Sequence, residues 1–162
     1  MKGVVLAAGV GSRLTPITDN KPKHMIFLCG QPLISYVLTA LKSNGIKDLI
    51  LVIGRSDKIT RSFLGNGEEF GLNLEYAIQE KPLGTADALK SALKLMDENE
   101  FLVTYGDILL SDAAIQEALK CFNEFKECVI TAVPAKSIQE YGLIEEKEGK
   151  LANLIEKPKR AP

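Results

Sequence analysis

Leu6-Ala7-Ala8-Gly9-Val10-Gly11-Ser12-Arg13 follows directly on the apolar run Val4-Val5-Leu6. Two glycines and two alanines strip this turn of nearly every side chain. A bare backbone can approach a ligand closely and aim its N–H groups at anionic oxygens. Arg13 adds a planar, permanently charged fork suited to phosphate. Lys23 and His24 come soon after, behind Pro22. Together these residues describe a strand that ends in a triphosphate-binding loop. Two familiar alternatives fit badly. A dinucleotide-binding turn needs a third glycine where Leu14 stands, and an acidic residue after the second strand, where Gly54-Arg55-Ser56 is found. A P-loop needs Gly-Lys-Ser/Thr, which Gly11-Ser12-Arg13 is not. A plain strand-to-helix turn, with Arg13 at the surface, also satisfies the local pattern.

Four further stretches carry chemistry-capable residues. Lys23, after a proline in a long loop, can reach a phosphate as a point charge, or simply be solvated. Gln79 precedes Glu80-Lys81-Pro82-Leu83-Gly84-Thr85-Ala86-Asp87. Its amide both donates and accepts, as base-edge recognition requires, and Gly84 allows close backbone approach. Asp107, just past Phe101–Tyr105 and Gly106, is placed to hold magnesium on substrate phosphates. Read alone, it fits a helix-start aspartate better. Glu156-Lys157-Pro158 offers a carboxylate for a sugar hydroxyl beside an ammonium for a phosphate; a solvated charge pair is the plainer account.

The elements that must position these residues alternate strand and helix. Apolar runs predict strands at Val4–Leu6, Asp48–Ile53, Leu74–Ile78, Phe101–Tyr105 and Val129–Val133. Helical spacing predicts a helix from Leu33 to Leu41, stopped by Asn44-Gly45, and a short one capped by Ser56 and ending at Leu64. A third is capped by Thr85, with Ala86, Leu89, Leu93 and Met96 on one face. A fourth is capped by Ser111, with Ile115, Ala118, Leu119 and Phe122 turned inward. Tyr141–Glu146 and Leu151–Glu156 read as two strands joined at Glu148-Gly149. Repeated βαβ units with a mixed C-terminal part put ligands beyond the carboxyl ends of the strands. Both the glycine loop and Asp107 fall at such ends.

A chain of 162 residues, 46% hydrophobic and 25% charged, is long enough for one globular domain with a substantial core. Its net charge of −1 and dispersed lysines argue against nucleic acid or an anionic membrane as partner. There is no apolar run of bilayer-spanning length and no signal-peptide pattern, and three cysteines in no metal-binding spacing suit free thiols in a reducing cytoplasm. With His24 the one histidine, a histidine-based zinc site is disfavoured.

The series AAGVGSRL, PKH, QEKPLGTADA, GD and EKP, in that order over essentially the whole chain, resembles the sugar nucleotidyltransferases, or nucleotide-sugar pyrophosphorylases, in particular the glucose-1-phosphate thymidylyl- and uridylyltransferase group. The resemblance implies an α/β fold, a Rossmann-like three-layer α/β/α arrangement with a mostly parallel, mixed sheet. The implied reaction joins a nucleoside triphosphate, dTTP or UTP first, to a sugar 1-phosphate, glucose 1-phosphate first, and releases pyrophosphate. Cytidylyl transfer to a phosphorylated alcohol or amino-alcohol, and a non-catalytic nucleotide-binding module, are the alternatives. By the same resemblance, Leu6, Ala8, Gly9, Gly11, Ser12, Arg13, Gln79, Pro82, Gly84 and Thr85 would bind the nucleotide. Arg13, Lys23 and Asp107 would be catalytic, with Asp107 holding Mg²⁺, and Gly142, Glu156 and Lys157 would take the sugar phosphate. Residues 1–162 would form the N-terminal two-thirds of such a domain, lacking its downstream second metal-binding aspartate. An exposed sheet edge left there would favour a homo-oligomer.

Overall fold

The computed structural model describes residues 1–97, 99–134, 141–156 and 158. The chain divides into two compact units, Met1–Glu117 and Ala118–Pro162. The first holds β1 (Lys2–Leu6), β2 (Phe27–Leu28), β3 (Gln31–Pro32), α1 (Leu33–Ser43), β4 (Asp48–Gly54), α2 (Lys58–Leu64), β5 (Asn73–Gln79), α3 (Thr85–Ala92) and β6 (Phe101–Tyr105). Helix α4 (Asp112–Phe125) starts in the first unit and ends in the second, which also contains the antiparallel pair β7 (Gly142–Lys147) and β8 (Lys150–Glu156).

The sheet of the first unit runs β5-β4-β1-β6, and every pairing in it is parallel. Parallel strands covered on both faces need apolar residues at successive positions, and Val4, Val5, Ile50, Leu51, Val52 and Ile53 are all fully buried. Alternation then assigns the faces. Val4, Leu6, Ile50, Val52 and Ala77 pack with Ala88 and Ala92 of α3. On the opposite face, Leu41 of α1 and Ile46 close around Gly3 and Leu49. This is the expected α/β arrangement of a parallel sheet flanked by helices.

Helix α1 stops where Asn44-Gly45 predicts. Gly45 takes a φ of 80°, and the N–H groups of Gly45 and Ile46 return to the carbonyls of Lys42 and Leu41 at 3.0 Å each. Only a residue without a Cβ adopts that turn at little cost. Ser111 caps α4 as expected, accepting from the Ala114 N–H at 3.2 Å. The hairpin β7–β8 also forms about Glu148-Gly149.

Four local expectations are corrected. The cap of α2 is Asp57, not Ser56: its carboxylate accepts from the Thr60 N–H. Thr85 is the first residue of α3 rather than its cap, and Gly84 at the cap position gives no side-chain bond. Of the face expected for α3, Leu89 and Met96 pack against the core beside the buried Ala88 and Ala92, whereas Ala86 is exposed and Leu93 is turned out where the helix ends at Ala92 and tightens into a 3₁₀ turn. Val129–Val133 forms no strand. β-Propensity supplies no ladder by itself, and Val129, Ile130 and Val133 lie exposed without a pairing strand among the described residues.

A Cβ built on Gly3 would stand 2.5 Å from a methyl of the buried Leu49 and 3.0 Å from Ile46. Gly3→Ala is therefore expected to overpack the core and lower the unfolding free energy by about 1–3 kcal/mol, read by urea denaturation.

Candidate functional site

From β1 the chain passes through α1 to β4 and on to β5, then crosses by α3 to β6 on the other side of β1. The strand order reverses between β1 and β6, and a crevice opens at their carboxyl ends. Backbone bonds carry the ladder one step further: Ala7 N–H donates to Val52 at 2.8 Å and Gly106 N–H to Leu6 at 2.9 Å. Above these bonds lies a cleft of about 350 Å³.

Every candidate residue expected in the first unit lines that cleft. Leu6, Ala8, Gly9, Gly11, Ser12 and Arg13 come from the turn after β1, and Lys23 from the long loop. Gln79, Pro82, Gly84 and Thr85 come from the β5–α3 connection, and Asp107 from the end of β6. His24, Tyr105, Val10 and Ala88 line it as well. Tyr105 could have been read from its place next to Gly106-Asp107, and Ala88 from the alanine spacing of α3.

The two glycines of the turn serve different ends. Gly11 has a φ of 66°, and a Cβ there would come 3.2 Å from the Lys23 side chain, so the site itself requires glycine. Around Gly9 a Cβ would meet nothing within 4 Å. Folding does not demand a glycine at that position, which leaves open cleft space against bare backbone. Lys23 and Asp107, from separate loops, form an ion pair through Nζ and Oδ2. Gln79 is buried, and its amide nitrogen donates to the Gly84 carbonyl at 3.1 Å and to Asp87 Oδ2 at 2.9 Å. Gly84 has φ 105° and ψ −179°, a conformation essentially restricted to glycine.

In the second unit, Gly142 and Glu156 are direct partners across β7–β8, and Glu156 Oε2 lies beside the Gly142 backbone. Lys157 lies outside the described residues.

The family model described as Nucleotidyl transferase matches residues 2–162. This chain belongs to the nucleotidyl transferase family. It is 32% identical to a glucose-1-phosphate thymidylyltransferase of Mycolicibacterium smegmatis, over 98% of this chain and 56% of that protein. It is 31% identical to a mannose-1-phosphate guanyltransferase of Hypocrea jecorina, over 98% of this chain and 45% of that one. A crystal structure of a Bacillus anthracis protein assigned as a glucose-1-phosphate thymidylyltransferase, with sucrose bound, superposes with a TM-score of 0.86 at 32% identity; the match covers 99% of this chain and 65% of the other. The chain thus spans about half the length of the curated relatives it matches.

In this chain the loop that carries Lys23 is anchored from beneath. His24 is 2% exposed, and its Nε2 lies 2.6 Å from Thr60 Oγ1. The Thr60 hydroxyl donates to Asp57 Oδ2 at 2.7 Å, so it accepts from His24, and Nε2 carries the hydrogen. Asp57 Oδ2 is itself 3.4 Å from Nε2. Burial pushes the Asp57 carboxyl up, but the hydrogen bonds from His24 and Thr60 outweigh it and hold the group below its ordinary value of 3.8. A depressed carboxyl contributes stability that is fully present above pH 3.8 and is lost as pH falls through the lower folded value. Asp57→Ala should cost about 1–2 kcal/mol at neutral pH through the lost helix cap. It should also flatten the acid limb of the stability curve, measured by urea unfolding between neutral pH and the acid transition.

Proposed function

We propose that the first unit binds the nucleoside triphosphate of a sugar-1-phosphate nucleotidyltransferase, with dTTP or UTP as donor and glucose 1-phosphate as acceptor. The observation that carries this reading is the convergence of four separate stretches on one cleft at the strand-order reversal. They are the side-chain-free turn with Arg13, the Lys23 loop, the Gln79–Gly84 connection and Asp107. The Gly9–Ser12 backbone offers N–H groups to the triphosphate. In this reading Gln79 and Gly84 meet the base, with Leu6, Ala8, Pro82 and Thr85 around it. The relatives act on sugar 1-phosphates, which supports the acceptor class.

An oxygen of the sugar phosphate attacks the α-phosphorus of the triphosphate. A new P–O bond forms, the bond from the α-phosphorus to the bridging oxygen breaks, and pyrophosphate leaves with that oxygen and its electron pair. The attacking oxygen is already anionic, so no general base is needed. Catalysis then rests on positioning and on cations set against developing charge. In this reading Lys23 holds the α-phosphate, and Arg13 meets charge on the transferring and leaving groups. Gly142, Glu156 and Lys157 take the sugar and its phosphate.

Magnesium fits the donor chemistry of Asp107. It commonly takes one or two carboxylates and completes its shell with water and substrate phosphates. Among the described residues no group of three or more His, Cys, Asp or Glu side chains forms a metal cage. Asp107 is a hard oxygen donor in the lining of the cleft, with Lys23 against it. When bound there, the ion would neutralise phosphate charge.

The first test is pyrophosphate release with nucleoside triphosphate, sugar 1-phosphate and Mg²⁺ together and with each omitted. Release only in the complete mixture supports transfer. Nucleotide binding without release would support a binding module. Arg13→Ala should lower kcat by roughly tenfold or more with a smaller effect on nucleotide Kd, because its charge acts mainly in the transition state; an unchanged kcat removes Arg13 from the mechanism. Gly9→Ala should melt like the wild type yet bind dTTP or UTP several-fold more weakly, as seen by calorimetric titration.

A further inference from the structure

The hydrogen bonds around Gln79 decide which way its amide faces. A carboxamide nitrogen has two hydrogens, and both are used here: one on the Gly84 carbonyl at 3.1 Å and one on Asp87 Oδ2 at 2.9 Å. Neither partner can donate. A carbonyl oxygen and a carboxylate only accept, so turning the amide over would press Oε1 against two acceptors. The assignment of nitrogen and oxygen therefore follows from the partners themselves. Gln79 is only 5% exposed, and it lines the cleft. No described residue donates to its Oε1, so the function left for a ligand is an acceptor alone.

We infer that Asp87, a half-buried residue of α3 outside the cleft lining, is a specificity-determining residue. With the Gly84 carbonyl, it locks Gln79 as a hydrogen-bond acceptor. The cleft thereby prefers nucleobases with a ring N–H on the pairing edge over bases with a bare ring nitrogen there. Uracil and thymine offer N3–H, and guanine N1–H. Cytosine presents N3 and adenine N1 as acceptors, which would face Oε1 lone pair to lone pair. Both also carry an exocyclic amine, but it lies further along the edge. Reaching Oε1 with it requires the base to slide while its triphosphate stays anchored in the Gly9–Ser12 turn. Facing unpaired acceptors in a buried site weakens binding by roughly tenfold or more. This inference rests on the reading of the cleft as a nucleotide site.

Asp87 acts through Gln79, so the decisive readout is a ratio of affinities within one base size. Calorimetric titration of the whole chain with UTP, CTP, GTP and ATP gives two such ratios, UTP over CTP and GTP over ATP. Inorganic triphosphate, which carries no base, reports the glycine turn by itself. The wild type should favour UTP over CTP, and GTP over ATP, by roughly tenfold or more. In Asp87→Ala nothing holds the second amide hydrogen. In Asp87→Asn the side chain can donate to a turned-over Gln79. Both variants should bring the UTP-to-CTP ratio several-fold closer to one, while triphosphate binding and melting temperature stay near wild type. Wild-type ratios near one, or ratios unmoved in folded Asp87 variants that still bind nucleotide, overturn the role of Asp87 and leave the nucleotide site standing. Binding of triphosphate but of no nucleotide, or of neither, overturns the nucleotide reading and this inference with it.

Discussion

The position of β1 between β4 and β6 is the constraint on which the site depends. Val4 and Val5 are fully buried on opposite faces, so β1 has no exposed edge and no solvent face. Its carboxyl end therefore opens into a crevice walled by the ends of both neighbours. The chain must leave β1 in a turn narrow enough to pass between them, and Ala7, Ala8, Gly9 and Gly11 are the residues that permit it. Gly106, packed against Ala7 and Ile34, lets β6 end at the same height. Asp107 and the glycine turn then face one cleft without any direct bond between them having to be selected.

Charge in the cleft is held by two unlike devices. Lys23 and Asp107 meet from different loops and are both partly exposed, so solvent screens their attraction, and the pair can part when a stronger anion enters. Beneath them, His24, Thr60 and Asp57 are nearly dry, and each polar atom in the chain of bonds has its partner. A buried network with every member satisfied is rigid, and breaking it leaves unpaired polar groups in the interior. The loop is thus fixed one residue away from a lysine that stays free to exchange its counter-charge. That combination of fixed base and mobile tip supports the proposed phosphate-binding role of Lys23.

Much of this was legible in the residues because the controlling physics is local or periodic. The strands of a doubly covered sheet read as unbroken apolar runs, and the glycine at the end of α1 is demanded by its backbone angle. What escaped depends on contacts between distant segments. Ser56 and Asp57 are adjacent and both suited to capping; His24, more than thirty positions earlier in the chain, favours the carboxylate, since it too bonds to Asp57. His24 itself looked like part of a phosphate-binding loop, and its burial against α2 appears only when that helix is folded beneath it. Val129–Val133 has strand-forming composition, but a strand exists only with a partner, and composition does not reveal one. The amide of Gln79 was readable as a donor and acceptor together. Asp87, eight positions on and one turn into α3, removes the donor half.

Affinity and selectivity in such a cleft come from physically separate sources. In the proposed nucleotide reading, backbone N–H groups and cations act on the phosphates, which every nucleoside triphosphate shares, so they raise affinity without distinguishing bases. In the proposed reading, discrimination falls to one buried amide held jointly by the Gly84 carbonyl in the cleft and by Asp87 on the first turn of α3. A change at that turn alters which base edge is matched and leaves the phosphate cradle intact.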